Sequence, residues 1–401
     1  MGGGLSTAKD DGGVTVGSMR GPVKALKQLR IILFFTHGVS LRQWEEIGIL
    51  DRELALYKSL RVHIRGTLFV TYGGLSDLRY LGRNHGIAVI SNPFRLPMSL
   101  HARVVSQLVA MFFGRAAVFK SNQILGAEIP LEMARRHGRK FIARCGYLHS
   151  DFTERRFGPD SPEAARARAL EGKVFSSADR AVVTTQAMKE EVVRRYSVPP
   201  GRVHVIPNYV DTELFQPAKP DAERPGRICF VGRLEGQKNL GSLLEAVEGL
   251  KVELVLVGSG RLGGALAEEA RKRGISARFL GNIPHRRLPG ILNQAAIFVL
   301  PSHYEGHPKA LLEAMACGRA CIGTDVPGTR ELIQQGENGI LCGTSPSEIR
   351  HAVQGLLGDK ALRTRIGARA REFVVENFSL SKVVDLELRL LEGLAAEMRP
   401  G

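Results

Sequence analysis

A chain of 401 residues, 44% hydrophobic and 24% charged, has room for two α/β domains with proper cores and the composition of an ordinary soluble protein. No apolar run approaches 18 residues and no signal peptide opens the chain, so neither a membrane span nor export is expected, and five scattered cysteines (Cys145, Cys229, Cys317, Cys321, Cys342) fit reduced core thiols better than disulfides or a metal site. The net charge of +16 is uneven: residues 1–210 hold 31 Lys and Arg against 17 Asp and Glu, the remainder 25 against 23, and such a field on the first half draws polyanions such as anionic lipid, acidic polysaccharide or nucleic acid.

Residues 1–28 are glycine-rich and polar and read as a disordered tail, whose start, Met-Gly-Gly-Gly-Leu-Ser, formally matches a myristoylation pattern. From residue 29 strands and helices alternate. Strands are expected at 30–35, 67–71, 87–90, 116–119, 141–145 and 181–184, with a loop at 36–48 and an amphipathic helix at 49–60. Residues 98–114 are apolar with His101, Arg103 and Arg115 interspersed. They fit either an internal helix of the α/β layer or one lying on an anionic membrane. A strand from 203 ends in Pro207-Asn208, and 216–226 looks like a linker. A second alternating series follows, with strands at 228–231, 253–257, 278–280, 296–300, 320–323 and 339–342, and helices at 345–358, 362–377 and 380–398. Two such series imply two Rossmann-like, doubly wound domains, 29–208 and 209–378, with a cleft between them, and a last helix, 379–401, free to cross back.

The richest stretch is 301–318, Pro-Ser-His-Tyr-Glu-Gly-His-Pro-Lys-Ala-Leu-Leu-Glu-Ala-Met-Ala-Cys-Gly. It leaves an apolar strand, crosses a polar loop and enters a helix near Pro308, whose first-turn amides make an anion site. Glu305 and Glu313 are separated by roughly 10 Å if the interval is mostly helical. That exceeds the ~5 Å of a retaining-hydrolase pair and suits one long ligand gripped at both ends. Three more loops fall at strand ends of the second series: Gly232-Arg-Leu-Glu-Gly-Gln-Lys238 with two cations, Gly258-Ser-Gly260, and Gly281-Asn-Ile-Pro284. Together they form one wall of cations, glycine turns, helix-start amides and carboxylates, fit for a nucleotide diphosphate. Metal-dependent transferases commonly carry an Asp-x-Asp pair. None stands in a strand-end loop here, and Arg233 with Lys238 can supply the compensating charge, so neither metal nor cofactor is expected.

Phe230-Val-Gly-Arg-Leu-Glu-Gly-Gln-Lys-Asn-Leu240, the E-x7-E pair Glu305 and Glu313, Glu313-Ala-Met-Ala-Cys-Gly318, residues 324–333 and residues 205–215 resemble family 4 retaining glycosyltransferases of the GT-B fold. The resemblance is dense over 205–342 and thin before 200. It implies that Arg233 and Lys238, with Gly232, bind the donor diphosphate, that Glu305 meets hydroxyls of the transferred sugar, and that Glu313 meets the ribose. Backbone around Gly306, His307, Lys309 and Ala310 would meet sugar and phosphates, while Pro308 has no N–H to offer. Gly258 and Gly260 would allow close approach, and Asn282 and Ile283 would lie near the base. The family's glycine pair before the first helix is replaced by Glu45-Glu-Ile-Gly48, which leaves Gly48 to approach the donor phosphates. The family's first-domain histidine corresponds to His149, with an ordinary loop histidine as the alternative and His37 a weaker candidate.

The implied activity is retaining, metal-independent transfer of a sugar from a UDP- or GDP-type donor to a hydroxyl, the acceptor being lipid-linked or a polysaccharide. The setting is cell-surface polysaccharide or glycolipid synthesis, in the cytoplasm or peripherally on an anionic inner membrane face. A nucleotide-sugar epimerase or phosphorylase, and a non-catalytic nucleotide-sugar binder, are the alternatives. No basic stripe with interleaved aromatics supports nucleic-acid binding.

Overall fold

The structure, a computed structural model, describes residues 26–80, 86–112, 116–219 and 222–398. Most of the tail read above as disordered, with its myristoylation-like start, lies outside them. Seven strands, β1 (Arg30–Phe34), β2 (Gly66–Val70), β3 (Ala88–Ile90), β4 (Ala117–Ser121), β5 (Lys140–Cys145), β6 (Arg180–Val183) and β7 (Val203–Val205), form a sheet ordered β3-β2-β1-β4-β5-β6-β7. Six more, β8 (Arg224–Val231), β9 (Glu253–Val257), β10 (Ala277–Phe279), β11 (Ala295–Leu300), β12 (Ala320–Thr324) and β13 (Ile340–Cys342), form a second, ordered β10-β9-β8-β11-β12-β13. Every pairing is parallel. The expected pair of doubly wound sheets is present. In each, the order reverses between two neighbouring strands, β1 and β4 or β8 and β11, and opens a crevice at their carboxyl ends.

Parallel strands are buried on both faces, so alternate residues feed different cores. Ile31, Leu33 and Phe35 join one core, and Ile32 and Phe34 the other. The final helix, Leu380–Glu397, gives Val383, Val384, Leu391 and Leu394 to the first of these. The chain therefore returns from the second sheet to cover the first. The crossing is tied at Val210, whose N–H donates to Phe378 O and whose carbonyl accepts from Leu380 N, both at 2.9 Å. Further along, Lys120 on β4 meets Glu387 through Nζ and Oε1 at 2.5 Å, with the two side chains 0% and 1% exposed. Lys140 and Arg180 pair with Glu397 near the helix end.

Two expectations change. Residues 36–48, read as a loop, contain the helix Leu41–Glu46. Its start carries a Ser40/Gln43 capping box, and buried Asp77 accepts from Leu41 N and Arg42 N while taking the Thr71 hydroxyl. The segment 216–226, read as linker, is shorter, because β8 begins at Arg224, paired with Ala295 of β11. The helix Met98–Phe112 turns His101, Val105 and Val109 inward and leaves Leu100, Val104 and Met111 on an exposed stripe, and Phe94 in the segment before it is 81% exposed. Among the described residues no helix is long and apolar enough to cross a membrane.

Removing one member of a buried ion pair strands the other. Lys120→Met should cost about 3 kcal/mol or more through the uncompensated Glu387. Lys120→Met/Glu387→Leu should recover most of it, as read by chemical denaturation. Equal losses in the single and double variants would show that the charge is not what matters.

Candidate active site

The loops at the carboxyl ends of β8, β9 and β10 are stacked backbone on backbone. A Cβ on Gly258 would lie 2.0 Å from Gly232 O, and one on Gly260 2.3 Å from Leu234 O. Gly258 N also donates to Gly281 O at 2.8 Å. These glycines seat the Gly232–Lys238 loop rather than face the cleft. On that loop Lys238 Nζ pairs with Glu305 Oε1 at 2.5 Å, and Ser302 Oγ donates to the same oxygen at 2.6 Å. Arg233 donates to Gln237 Oε1 at 3.2 Å, and Gln237 in turn donates to Tyr304 O at 2.8 Å. The loop after β8 is thereby fixed to the loop after β11. The helix Lys309–Ala316 starts just past Pro308, and its first amides have no partner within the helix.

The opposite wall comes from the first domain. The helix Leu50–Leu60 brings Glu53 to Lys309 (Oε1 to Nζ 2.6 Å) and Arg52 to Glu313 (Nη1 to Oε1 3.3 Å). His285 Nε2 meets the same Glu313 oxygen at 2.9 Å. Burial pushes the Glu53 carboxyl up, but Lys309, Arg52 and Arg144 outweigh it and hold the group at about 2. Burial draws the Lys309 ammonium down to about 8, with Glu53 working against that and Arg52 and Arg144 adding to it. The pair is ionised at neutral pH. Burial likewise lifts Glu313, but the hydrogen bond from His285 and the charge of Arg52 win and its carboxyl stays below the ordinary range. His307, buried beside Lys309 and Arg144, falls to about 3 and is neutral, so it brings no cation to a phosphate. Its carbonyl accepts from Asn208 Nδ2 at 2.7 Å, and Asn208 Oδ1 accepts from Arg144 at 3.1 Å.

Between these walls lies a cleft of about 950 Å³. Gly232, Arg233, Lys238, Glu305, Gly306, His307, Pro308, Lys309 and Ala310 line it from the second domain, and His149, at the start of the helix His149–Phe157, from the first. The remaining sequence candidates stand elsewhere. Gly48 is packed against the second domain, where a Cβ would lie 2.4 Å from Ile283 O and its carbonyl accepts from His285 N at 3.0 Å. Asn282 donates to Glu46 O at 3.2 Å. Gly48, Asn282 and Ile283 thus form one contact between the domains rather than cleft wall. Glu313 faces a separate cavity of about 290 Å³ with Asp51, Tyr209 and Arg286, and its Oε2 has no hydrogen-bond partner among the described residues. His37 stacks on Tyr72 outside the cleft.

Sequence reading missed Arg52, Glu53, Arg144 and Gln237, all in the cleft. For the first two the signal was present, since a helix following the first strand of a doubly wound sheet starts at the ligand-bearing end. Arg144 could be found only as the residue before Cys145 at the end of β5.

Comparison with known proteins gives the family and the fold. The family described as "Glycosyl transferases group 1" matches residues 211–373, and "Glycosyltransferase Family 4" matches residues 67–214. The two matches together take in most of the chain, which belongs to the family 4 glycosyltransferases of GT-B type. Over 259 residues it is 30% identical to an alpha-maltose-1-phosphate synthase of Mycolicibacterium smegmatis, covering 57% of this chain and 66% of that protein. Over 235 residues it is 32% identical to a D-inositol 3-phosphate glycosyltransferase of Xylanimonas cellulosilytica, covering 53% and 56%. The match thus spans two thirds or less of these relatives. Among solved structures, Anabaena HepE in complex with UDP and glucose superposes with a TM-score of 0.74 at 18% identity, over 91% of this chain and all of that one. A sucrose-phosphate synthase from Thermosynechococcus elongatus gives 0.73 at 19%, over 92% and 100%. These likenesses bear on the fold.

A carboxyl held at about 2 stabilises the folded chain above its ordinary pKa of 4.5, and that contribution is lost as pH falls from 4.5 toward 2. Glu53→Gln should therefore melt below the parent at pH 6, and the gap should close across that window in thermal unfolding scans. A gap unchanged from pH 6 to pH 2 would mean that the Glu53 charge contributes nothing.

Proposed function

We propose that the protein transfers a sugar, with retention and without a metal ion, from a nucleotide-diphosphate sugar to a hydroxyl acceptor. The observation that carries this reading is the convergence of Arg233, Lys238, Glu305 and the start of the helix Lys309–Ala316 on one cleft, faced by His149 across it. In this reading the diphosphate lies against Arg233, Lys238 and the helix-start amides, where charge-assisted bonds strengthen as negative charge grows on the leaving group. To reach it, Lys238 gives up part of its contact with Glu305, which turns that carboxylate toward sugar hydroxyls. Glu313, held by Arg52 and His285 beside a neighbouring cavity, is the proposed partner of the ribose hydroxyls and meets them once those contacts give way. The sugar–diphosphate bond breaks, the acceptor oxygen bonds to the anomeric carbon on the same face, and its proton passes to the departing diphosphate. His149 borders the reacting centre from the acceptor side.

The donor is of UDP or GDP type. The solved complex of Anabaena HepE with UDP and glucose supports the UDP form of this reading. The acceptor is lipid-linked or a growing polysaccharide, and the enzyme works in the cytoplasm at an inner membrane face. The exposed stripe Leu100, Val104 and Met111, with Phe94 and the neighbouring Arg95 and Arg103, supports contact with anionic lipid.

The test is release of nucleoside diphosphate from UDP-, GDP- and ADP-sugars with membrane extract in chelator. Turnover should persist without metal, fall at least a hundredfold in Arg233→Ala, Lys238→Ala and Glu305→Gln, and give the anomeric configuration of the donor. Strict dependence on magnesium or manganese would sink the metal-free claim. Free altered sugar without acceptor would point to an epimerase or phosphorylase, and tight binding without turnover to a binding protein. In the same preparation, Leu100→Asp/Met111→Asp should abolish sedimentation with anionic vesicles. Unchanged sedimentation would remove the membrane assignment.

A further inference from the structure

His149 faces the cleft half-buried, and among the described residues its ring has no hydrogen-bond partner. Its placement therefore depends on the backbone that carries it. That backbone opens the helix His149–Phe157, whose N-cap residue is Leu148. A leucine side chain accepts no hydrogen bond, so the helix start has no cap of its own. Leu148 is buried and joins the apolar core behind the cleft wall instead.

The missing cap comes from a remote carboxylate. Glu171, on the helix Pro162–Ser177, is 0% exposed. Its Oε1 accepts from Ser150 N at 3.1 Å, and its Oε2 accepts from Ser150 Oγ at 2.6 Å and from Tyr196 OH at 2.5 Å. Arg195, beside Tyr196 on the helix Gln186–Tyr196, donates to Ser150 Oγ at 2.9 Å and pairs with Asp151 at 3.0 Å. Burying a carboxylate is costly unless donors compensate it, and here three donors do. Its charge also lies at the positive end of the helix dipole. A serine or aspartate at the N-cap would satisfy the same amide without burying a charge. What the remote carboxylate adds is position, because it fixes the helix start against two other helices. The approach to His149 is pinned as well. Gly146 N donates to Gln123 Oε1 at 2.9 Å, Thr184 Oγ1 donates to Gly146 O at 3.2 Å, and Cys145 Sγ donates to Tyr147 O at 2.8 Å. This segment also receives the donor loop of the second domain, since a Cβ on Gly306 would lie 3.0 Å from both Gly146 O and Tyr147 Cβ.

We infer that Glu171 is a positioning residue for the transfer: by anchoring Ser150 it sets His149 at the separation from Glu305 and the donor wall that the reaction requires. It touches no substrate itself. A displacement of about 1 Å at a reacting centre can cost on the order of a hundredfold in rate. The donor wall stands on the other domain, so loss of the anchor acts on turnover more than on donor binding. This role rests on the transferase reading and extends it to a residue behind the cleft wall.

The experiment measures nucleoside diphosphate release from UDP-, GDP- and ADP-sugars by the full chain at a fixed amount of membrane extract. It compares the parent with Glu171→Ala, Glu171→Gln, His149→Ala and Glu171→Gln/His149→Ala. In Glu171→Ala the apparent kcat should fall by about tenfold to a hundredfold while donor KM stays within about threefold. Glu171→Gln keeps one oxygen for Ser150 N and should lose about three- to tenfold in kcat. In the His149→Ala background, Glu171→Gln should cost less than about twofold more, because the anchor has nothing left to position. Val174→Ala, fully buried on the same helix, is the control for stability: it should melt lower yet keep kcat within about twofold. Glu171→Gln and the double variant decide the matter even where Glu171→Ala fails to fold. Parental kcat in Glu171→Gln, losses that multiply in the double variant, or a change confined to donor KM overturns the positioning role, as does a kcat loss in Val174→Ala matching that of Glu171→Gln. Parental turnover in His149→Ala overturns it too and leaves the donor reading standing. Failure of the parent to turn over any of these sugars overturns the transferase reading, and the positioning role falls with it.

Discussion

A charge taken out of water must find an opposite charge, and in this protein the partners for two buried charges of the donor wall come from the other domain. Lys309 and Glu313 sit on one helix of the second domain, while Glu53 and Arg52 sit on one helix of the first. On the second domain alone Lys309 would lack a carboxylate and Glu313 would keep only His285, and leaving a buried ion unpaired costs several kcal/mol. On the first domain Arg52 and Glu53 also meet each other. The closed cleft is therefore a consequence of charge neutralisation as much as of apolar packing. Backbone contact of Gly48 with Ile283, and of Gly306 with Gly146 and Tyr147, completes the approach.

That arrangement gives the cleft two kinds of cation. Lys238 and Lys309 are held by carboxylates and can be released toward a phosphate, whereas among the described residues Arg233 and Arg156 have no carboxylate partner and Arg144 donates to Asn122 O and Asn208 Oδ1. The final helix makes the geometry durable. By crossing back to lie on the first domain and burying Lys120 against Glu387, it ties the second domain's end to the first domain's core and leaves the 208–210 crossing as a short connection rather than a loose linker.

The fold was legible because each strand is a short apolar run bounded by loops, and the parallel order follows from the intervening helices. The second domain's cleft wall was legible because its loops fall at consecutive strand ends, which singled out Arg233, Lys238 and Glu305 as cleft residues, while their roles were implied by the family resemblance. The sequence could not show which glycines face a ligand. Gly258 and Gly260 are required by other backbone, and Gly48 by the opposite domain, yet all three read as ligand glycines. The Glu313 environment was equally hidden, because its partners Arg52 and His285 lie 261 and 28 residues away in sequence. The helix Leu41–Glu46 is signalled only by its cap, Ser40 with Gln43 three residues on, inside a segment whose polarity otherwise reads as loop.

The central claim is that the donor diphosphate takes Lys238 from Glu305 and sits against Arg233 and the start of the helix Lys309–Ala316. The most direct measurement is a crystal structure of the protein with a bound nucleoside diphosphate. The account predicts phosphate oxygens within hydrogen-bond distance of Arg233 and Lys238, with the Lys238–Glu305 contact lengthened and Glu305 turned to the open cleft. A diphosphate bound away from both cations, with Lys238 and Glu305 still paired, would contradict it.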